Sequence, residues 1–219
     1  EKITICVVGL DSSGKTSILN SLQGKFGKKT MPTVGFSCVK MQLSEETVVE
    51  IFDLGGGVKI RGNWQKYYAD VHGVVYVVDS ADAARSADTT ALFKETCSAS
   101  RVAGKPMLIL GSKQDCDGAK SSEDIASDLG TSSMPHCKIA TCTSVGDSLD
   151  PRIEAGLEWL FQQVITKYPQ LKQRVETDLL AMKAEQAAAK KARERKVLKQ
   201  LIERAFGLGP AGEKTEVLE

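Results

Sequence analysis

GLDSSGKT, residues 9–16, sets the reading of everything around it. The apolar run Ile3-Thr4-Ile5-Cys6-Val7-Val8 feeds straight into it, and Ser17-Ile18-Leu19-Asn20-Ser21-Leu22 leaves it with helical spacing. Strand, glycine loop and helix in that order are the setting of a phosphate-binding loop. Gly9 and Gly14 let the backbone curl so that successive N–H groups point inward at phosphate oxygens, and the helix start adds a favourable dipole. Lys15 is placed to reach β- and γ-phosphates and the Thr16 hydroxyl to bind Mg²⁺. Gly9, Asp11, Ser12, Ser13, Gly14, Lys15, Thr16 and Ser17 are the candidate nucleotide contacts of this loop. A glycine turn that matches by chance is the plain alternative, but strand, spacing and Lys-Thr pair are all present together.

The 219 residues suffice for one full α/β domain plus an extension. A chain that is 42% hydrophobic and 26% charged is ordinary for a globular protein. A net charge of +1 excludes an overall nucleic-acid or membrane character. Cys6, Cys38, Cys97, Cys116, Cys137 and Cys142 form no CxxC pair, so reduced and mostly buried thiols in a cytosolic setting are expected. His72 and His136 are isolated, which argues against a histidine-based metal site. No apolar run approaches the ~18 residues of a membrane helix, and no signal peptide is visible. The chain opens at Glu1 almost directly in a strand, as an excised piece would. Any native N-terminal anchor would then be missing from it, and its absence says nothing about membranes.

Lys25 to Thr33 is polar and glycine-containing, and Pro32 forbids helix there. Thr33 on such a loop can give Mg²⁺ a second hydroxyl when a γ-phosphate is present. By itself this would be a plain surface loop; the phosphate loop upstream changes that reading. Phe36–Leu43 and Val48–Phe52 read as a β-hairpin. The second strand runs into Asp53-Leu54-Gly55-Gly56-Gly57. Asp53 fits a carboxylate on the Mg²⁺ side, acting through water, and Gly56 a backbone N–H for the γ-phosphate. Three successive glycines are expected to leave the next segment mobile. Val58–Asp70 carries Trp64, Tyr67 and Tyr68 at helical spacing, partly for the core and partly for a nucleotide-dependent partner surface.

Gly73–Asp79 is the nearly continuous apolar run of a central parallel strand. Ala81–Ala103 reads as helix, Pro106–Leu110 as strand, Ser121–Leu129 as a capped helix and Cys137–Cys142 as the last strand. Pro151–Tyr168 reads as an amphipathic closing helix. After the fifth of these strands comes Gly111-Ser112-Lys113-Gln114-Asp115. The Asp115 carboxylate can accept from guanine N1–H and N2–H₂, a donor pair that adenine lacks. Lys113 would lay its stem over the base, and the N–H of Thr143, next to Cys142, would meet guanine O6. Alternating strands and helices with short links give an α/β fold, a doubly wound, mostly parallel six-stranded sheet. All these candidates lie at strand ends, where such sheets bind ligands.

Pro169 breaks the pattern and composition shifts. Gln170–Phe206 holds ten Lys/Arg against five acids and is rich in helix formers. It carries one stripe of Leu171, Val175, Leu179 and Met182 and another of Leu198, Leu201, Ile202 and Ala205. The expected domains are 1–168, a long basic helix over 169–206, and a disordered tail over 207–219. The helix reads as a solvated arm, a coiled-coil seam or a strut docked on the domain. Docking is the expectation, because the stripes are too interrupted for a long coiled coil. No aromatic interleaving supports a nucleic-acid partner.

Taken together, GLDSSGKT, PTVGF, FDLGGG, IRGNWQKYY, VVDSAD, SKQD, TCTS and GLEWL resemble the Arf and Arf-like small GTPases over residues 1–168. The resemblance implies a P-loop GTPase fold, GTP/GDP with Mg²⁺ as ligands, and Thr16, Thr33 and Asp53 on the metal. FDLGGG with IRG and a long basic helix resembles a ciliary branch of that family. That implies a chain on the cytosolic face of the ciliary membrane, held by N-terminal lipidation. It also implies that the GTP-bound chain is a guanine nucleotide exchange factor for Arf-like protein 3, working through the switch II side and the C-terminal helix. Two positions depart from the family. Gly57 stands where a Gln orients the attacking water, so very slow hydrolysis is expected. Ser112 stands where an Asn bridges base and phosphate loop; it is expected to be too short, weakening nucleotide by two- to tenfold. An activator-dependent GTPase, or a nucleotide-stabilised scaffold binding through its basic helix, are the alternatives.

Overall fold

Along each inner strand, side chains alternate between two apolar cores, and this alternation builds the layers. The computed structural model describes residues 1–28 and 30–205, with side chains as far as residue 203. In chain order it contains β1 (Lys2–Val8), α1 (Lys15–Leu22), β2 (Phe36–Ser44), β3 (Thr47–Leu54), α2 (Val58–Arg61), α3 (Trp64–Tyr68) and β4 (Gly73–Asp79). There follow α4 (Ser86–Ser98), β5 (Met107–Ser112), α5 (Ser122–Leu129), β6 (Cys137–Thr141), α6 (Pro151–Thr166) and α7 (Tyr168–Ala205). The strands form one six-stranded sheet in the order β2-β3-β1-β4-β5-β6. Only β2 and β3 pair antiparallel; every other neighbouring pair is parallel. This is the doubly wound sheet the sequence predicts, with a C-terminal helix.

One core collects Ile3, Ile5 and Val7 of β1 with Val75, Val77, Leu108 and Leu110, under Ile18 and Leu19 of α1 and Leu157, Leu160 and Val164 of α6. The other collects Cys6 and Val8 with Tyr76, Val78 and Ile109, under Trp64, Tyr68, Phe93 and Ile125. The period of two on β1, β4 and β5 thus feeds both faces, as a sheet covered on both sides requires.

Three boundaries differ from expectation. The helix expected over 81–103 is a 3₁₀ turn at Ala83–Arg85, where the Asp82 carboxylate accepts the Arg85 N–H, followed by α4. The chain then turns, reaching Gly104 at φ 76°. Pro169 does not break the chain. It is the second residue of α7, where a missing N–H has no intrahelical partner to lose. The expected boundary at 168 also falls inside the first of two compact units, which ends at Asp178. Leu171 is buried in the first core and Val175 is buried too, worth about 1.5–3 kcal/mol each. In the second unit, from Leu179 on, Leu180, Val197, Leu198, Leu201 and Ile202 are exposed. The tail over 207–219 lies outside the described residues. The thiols are also less buried than expected: Cys38 and Cys116 are exposed, though all six are free.

His72 is a buried acceptor. Its Nδ1 accepts the Thr4 N–H at 3.0 Å, and its ring stacks on Tyr168 with centroids 5.5 Å apart. Burial, aided by the nearby Lys105 and Lys2 charges, lowers its pKa to about 4. The unfolded chain then binds a proton that the folded chain refuses between pH 6.5 and 4, so stability falls as pH falls through that window. Denaturant unfolding at pH 6.5 and 5 should show a loss of about 2 kcal/mol. His72→Asn keeps an acceptor and should flatten that slope; an unchanged slope would assign it to other groups.

Candidate nucleotide and metal site

The site is assembled where β1, β3 and β5 end. Past β1, Gly9 at φ 144° lies so close to the Val77 carbonyl that a Cβ would sit 2.3 Å from it. Gly14 at φ 91° caps α1. Left-handed backbone of this kind favours glycine. Ser12 (φ 61°) adopts it too, and the loop curls around the Lys15 ammonium. Lys15 Nζ donates to the carbonyls of Gly9 and Leu10 and lies near Ser13 Oγ. Burial lowers its pKa to about 8, against the pull of Asp53 and Asp11. Among the described residues no carboxylate pairs with it, so an entering anion would meet a desolvated cation.

Thr16 Oγ1 lies 2.9 Å from Thr33 Oγ1 and donates to Asp53 Oδ2 at 2.7 Å; Thr33 Oγ1 is 3.3 Å from the same oxygen. Asp53 is buried, and its Oδ1 has no hydrogen-bond partner among the described residues. Two hydroxyls and a carboxylate with an orphaned oxygen are hard donors, and they fit a small divalent cation that also takes phosphate oxygens. A cleft of about 490 Å³ opens beside them, bordered by Lys15, Thr16, Ser17, Thr33, Gly57 and Lys113.

The three glycines after Asp53 are not equivalent. A Cβ on Gly55 would sit 2.5 Å from the Thr33 carbonyl, and one on Gly56 would sit 2.4 Å from the Asp11 nitrogen. Both are glycine because two loops close on them. Trp64 Nε1 ties the segment down further by donating to Gly55 O at 3.0 Å. Only Gly57 has open space around its Cβ position. The expected mobility of the whole run is thus not what the packing suggests. The aromatic cluster is divided: Trp64 and Tyr68 are buried, while Tyr67 packs on Phe36 (5.0 Å) and Phe52 (5.8 Å).

Sequence reasoning missed the clamp on Asp11. Arg61 Nη2 and Arg85 Nη1 approach its Oδ1 at 3.4 and 3.5 Å, and Arg61 Nε donates to Gly56 O. Both arginines were visible, but nothing in their spacing shows convergence on one carboxylate.

At the far end, Lys113 has φ 61°, and its ammonium pairs with Asp79. Asp115 accepts from the Thr143 hydroxyl, and this bond holds its carboxyl below the usual range. Three expectations meet other partners in this structure. The Thr143 N–H, expected at guanine O6, instead donates to Asp150 Oδ2 at 2.9 Å. Asp150 is the N-cap of α6, a role its place before Pro151 makes readable. Cys142, taken as a nucleotide contact, is buried in the first core with its N–H on Gly111 O. Ser112 is also not too short to reach the phosphate loop. Its Oγ is 2.7 Å from Ser13 O and 3.0 Å from Val78 O, sharing one proton between two carbonyls. Ser112→Ala should strip Ser13 of this partner and weaken nucleotide by two- to tenfold in equilibrium titration. Unchanged affinity would show that the bond does not hold the loop.

A comparison with known families matches residues 1–164 to Arf, the ADP-ribosylation factor family. The chain belongs to the Arf family. Among its relatives, ADP-ribosylation factor-like protein 13B of Chlamydomonas reinhardtii is 38% identical over 81% of this chain. The chain spans about a third, 34%, of that relative's length. ADP-ribosylation factor-like protein 2 of Arabidopsis thaliana is 34% identical over 76% of this chain and 90% of its own length. In structure, the Arl6 BBS3 small GTPase of Trypanosoma brucei, solved with bound GppNp, superposes with a TM-score of 0.64 at 27% identity. It covers 76% of this Arf-family chain and 99% of its own. No helix among the described residues is long and apolar enough to cross a membrane.

Proposed function

We propose that this Arf-family chain is a GTP-dependent switch with very slow intrinsic hydrolysis. In this reading Lys15 and the loop amides of residues 9–17 hold the phosphates, and Asp115 with the Lys113 stem holds guanine. Thr16 and Thr33 hold Mg²⁺, with Asp53 supporting through water, and the Gly56 N–H senses the γ-phosphate. Bound Mg²⁺ supplies charge neutralisation at the β- and γ-phosphates. The observation that carries the reading is the convergence of Thr16, Thr33 and Asp53 beside a buried, carboxylate-free Lys15. The GppNp-bound relative supports guanine nucleotide as the ligand.

Loaded with GTP, the chain would act as an exchange factor for Arf-like protein 3 in ciliary trafficking, at a membrane reached through an N-terminal anchor. Likeness to the algal factor-like protein 13B supports that branch. The half-exposed Phe36, Phe52 and Tyr67 cluster supports a partner surface on the switch face. The test is release of labelled GDP from Arf-like protein 3 with this chain added in either nucleotide state. Stimulation only by the GTP-analogue form is expected. Equal partner binding in both states, without stimulated release, would favour a scaffold instead.

A further inference from the structure

Lys105 has no part in the nucleotide site, yet its side chain is fully buried. It lies between two segments that the sequence keeps far apart. Its Nζ donates to the carbonyl of Tyr68 at 3.1 Å, the last residue of α3. The same nitrogen is 3.6 Å from Asp178 Oδ2, at the end of the third turn of α7. Asp178 Oδ2 is itself buried and has no hydrogen-bond partner among the described residues, so Lys105 and Arg174, 3.8 Å away, are its compensating charges. Arg174 also donates to the carbonyls of Ala103 (2.8 Å) and Ser100 (2.7 Å), in the turn that carries Lys105.

We infer that Lys105 is a positioning residue that couples the nucleotide-sensing segment to the root of α7. The path is short and made of directional bonds. Gly55 and Gly56 back onto the Thr33 carbonyl and the phosphate loop, and Trp64 at the head of α3 is bonded to Gly55 O. Tyr68 at its foot is bonded to Lys105. A shift of α3 withdraws the carbonyl that solvates a buried ammonium. A buried charge that loses one partner is costly to keep in place, so the ammonium must follow the carbonyl or draw harder on Asp178. Either response changes how firmly residues 168–178 are held. Burial lowers Lys105 to about 8, with Asp178 opposing that shift, so at pH 7 the ammonium still carries its proton. An unbonded lysine pointing to solvent would have neither the dependence on Tyr68 nor the effect on Asp178.

The coupling rests on the chain being a GTP-dependent switch, and its readout is separate from partner activity. Hydrogen exchange is followed over residues 33–57 and 168–178, in the full chain loaded with GTP analogue or GDP. Both segments should differ between the two states, with slower exchange at 168–178 in the GTP form by about tenfold. In Lys105→Met the difference at 33–57 should persist and that at 168–178 should vanish, with nucleotide affinity within twofold of wild type. Asp178→Asn keeps the lysine's bond to Tyr68 and serves where the methionine variant folds poorly; it should also abolish the difference at 168–178. A difference at 33–57 without one at 168–178 in wild type overturns the coupling and leaves the switch standing. No difference in either segment overturns both. Survival of the 168–178 difference in both variants assigns the coupling to other contacts.

Discussion

Asp115→Asn is expected to weaken GTP by about 10²- to 10³-fold and to turn base choice towards xanthine. The carboxylate only accepts, and the Thr143 hydroxyl already fixes and acidifies it. Guanine presents N1–H and N2–H₂ to two such acceptors. An amide offers one acceptor and sets a donor against a donor, which loses one charge-assisted bond and leaves a second group unpaired. At about 1.5–3 kcal/mol for a bond to a charged group, the sum reaches the stated range. Xanthine carries a C2 carbonyl that accepts what the new amide donates. Competition of labelled GTP with GTP and xanthosine triphosphate measures both. GTP affinity held within threefold of wild type would mean that the base is read elsewhere.

Gly57→Gln is expected to raise single-turnover hydrolysis about a hundredfold. Poor placement of a reacting group costs on the order of 10² in rate, and a Gln at this point of a GTPase orients the attacking water. The backbone is ready for the change: Gly57 has φ −66° and ψ 144°, which any residue adopts, and a Cβ there meets no atom within 4 Å. The same substitution one residue earlier would drive a side chain into the phosphate loop. Phosphate release with Mg²⁺ saturating should therefore be barely measurable in the wild type and readily measured in the variant. A wild-type rate above about 10⁻³ s⁻¹, the upper range for unassisted switches, would mean that another residue positions the water.

What the sequence revealed follows from the range of each interaction. The apolar run from Ile3 to Val8 is local and was enough to give a strand, whose side chains the structure divides between the two cores. Thr16, Thr33 and Asp53 lie far apart in sequence, yet each sits beside a glycine loop or strand end that signals its place, and the structure brings them together. Arg61 and Arg85 carried no such signal. Their meeting at Asp11 spans 50 and 74 residues and depends on how α2 and the 3₁₀ turn before α4 pack. Thr143 was read with its N–H free because the competing acceptor, Asp150, acts as the cap of a following helix. Lys105 in Gly-Lys-Pro looks like a surface turn lysine, since burial of a charge is settled by elements that arrive later in the chain. Gly55, Gly56 and Gly57 are identical letters whose difference is made wholly by their neighbours.

The passage of α7 through the end of the first unit bears on how the protein can be dissected. Tyr168 marks a change in composition, and a cut there looks natural on the page. Such a cut would take Leu171 out of the core, remove the buried Val175 and deprive Lys105 of the Asp178 carboxylate. It would also free the carbonyls that Arg174 holds. The chemical edge of the nucleotide-binding half is Asp178, ten residues further along one uninterrupted helix. A fragment ending just beyond that residue keeps Leu171, Arg174, Val175 and Asp178. One ending at the proline would be a damaged version of the domain, and defects measured in it would be blamed on the missing arm when they belong to the core.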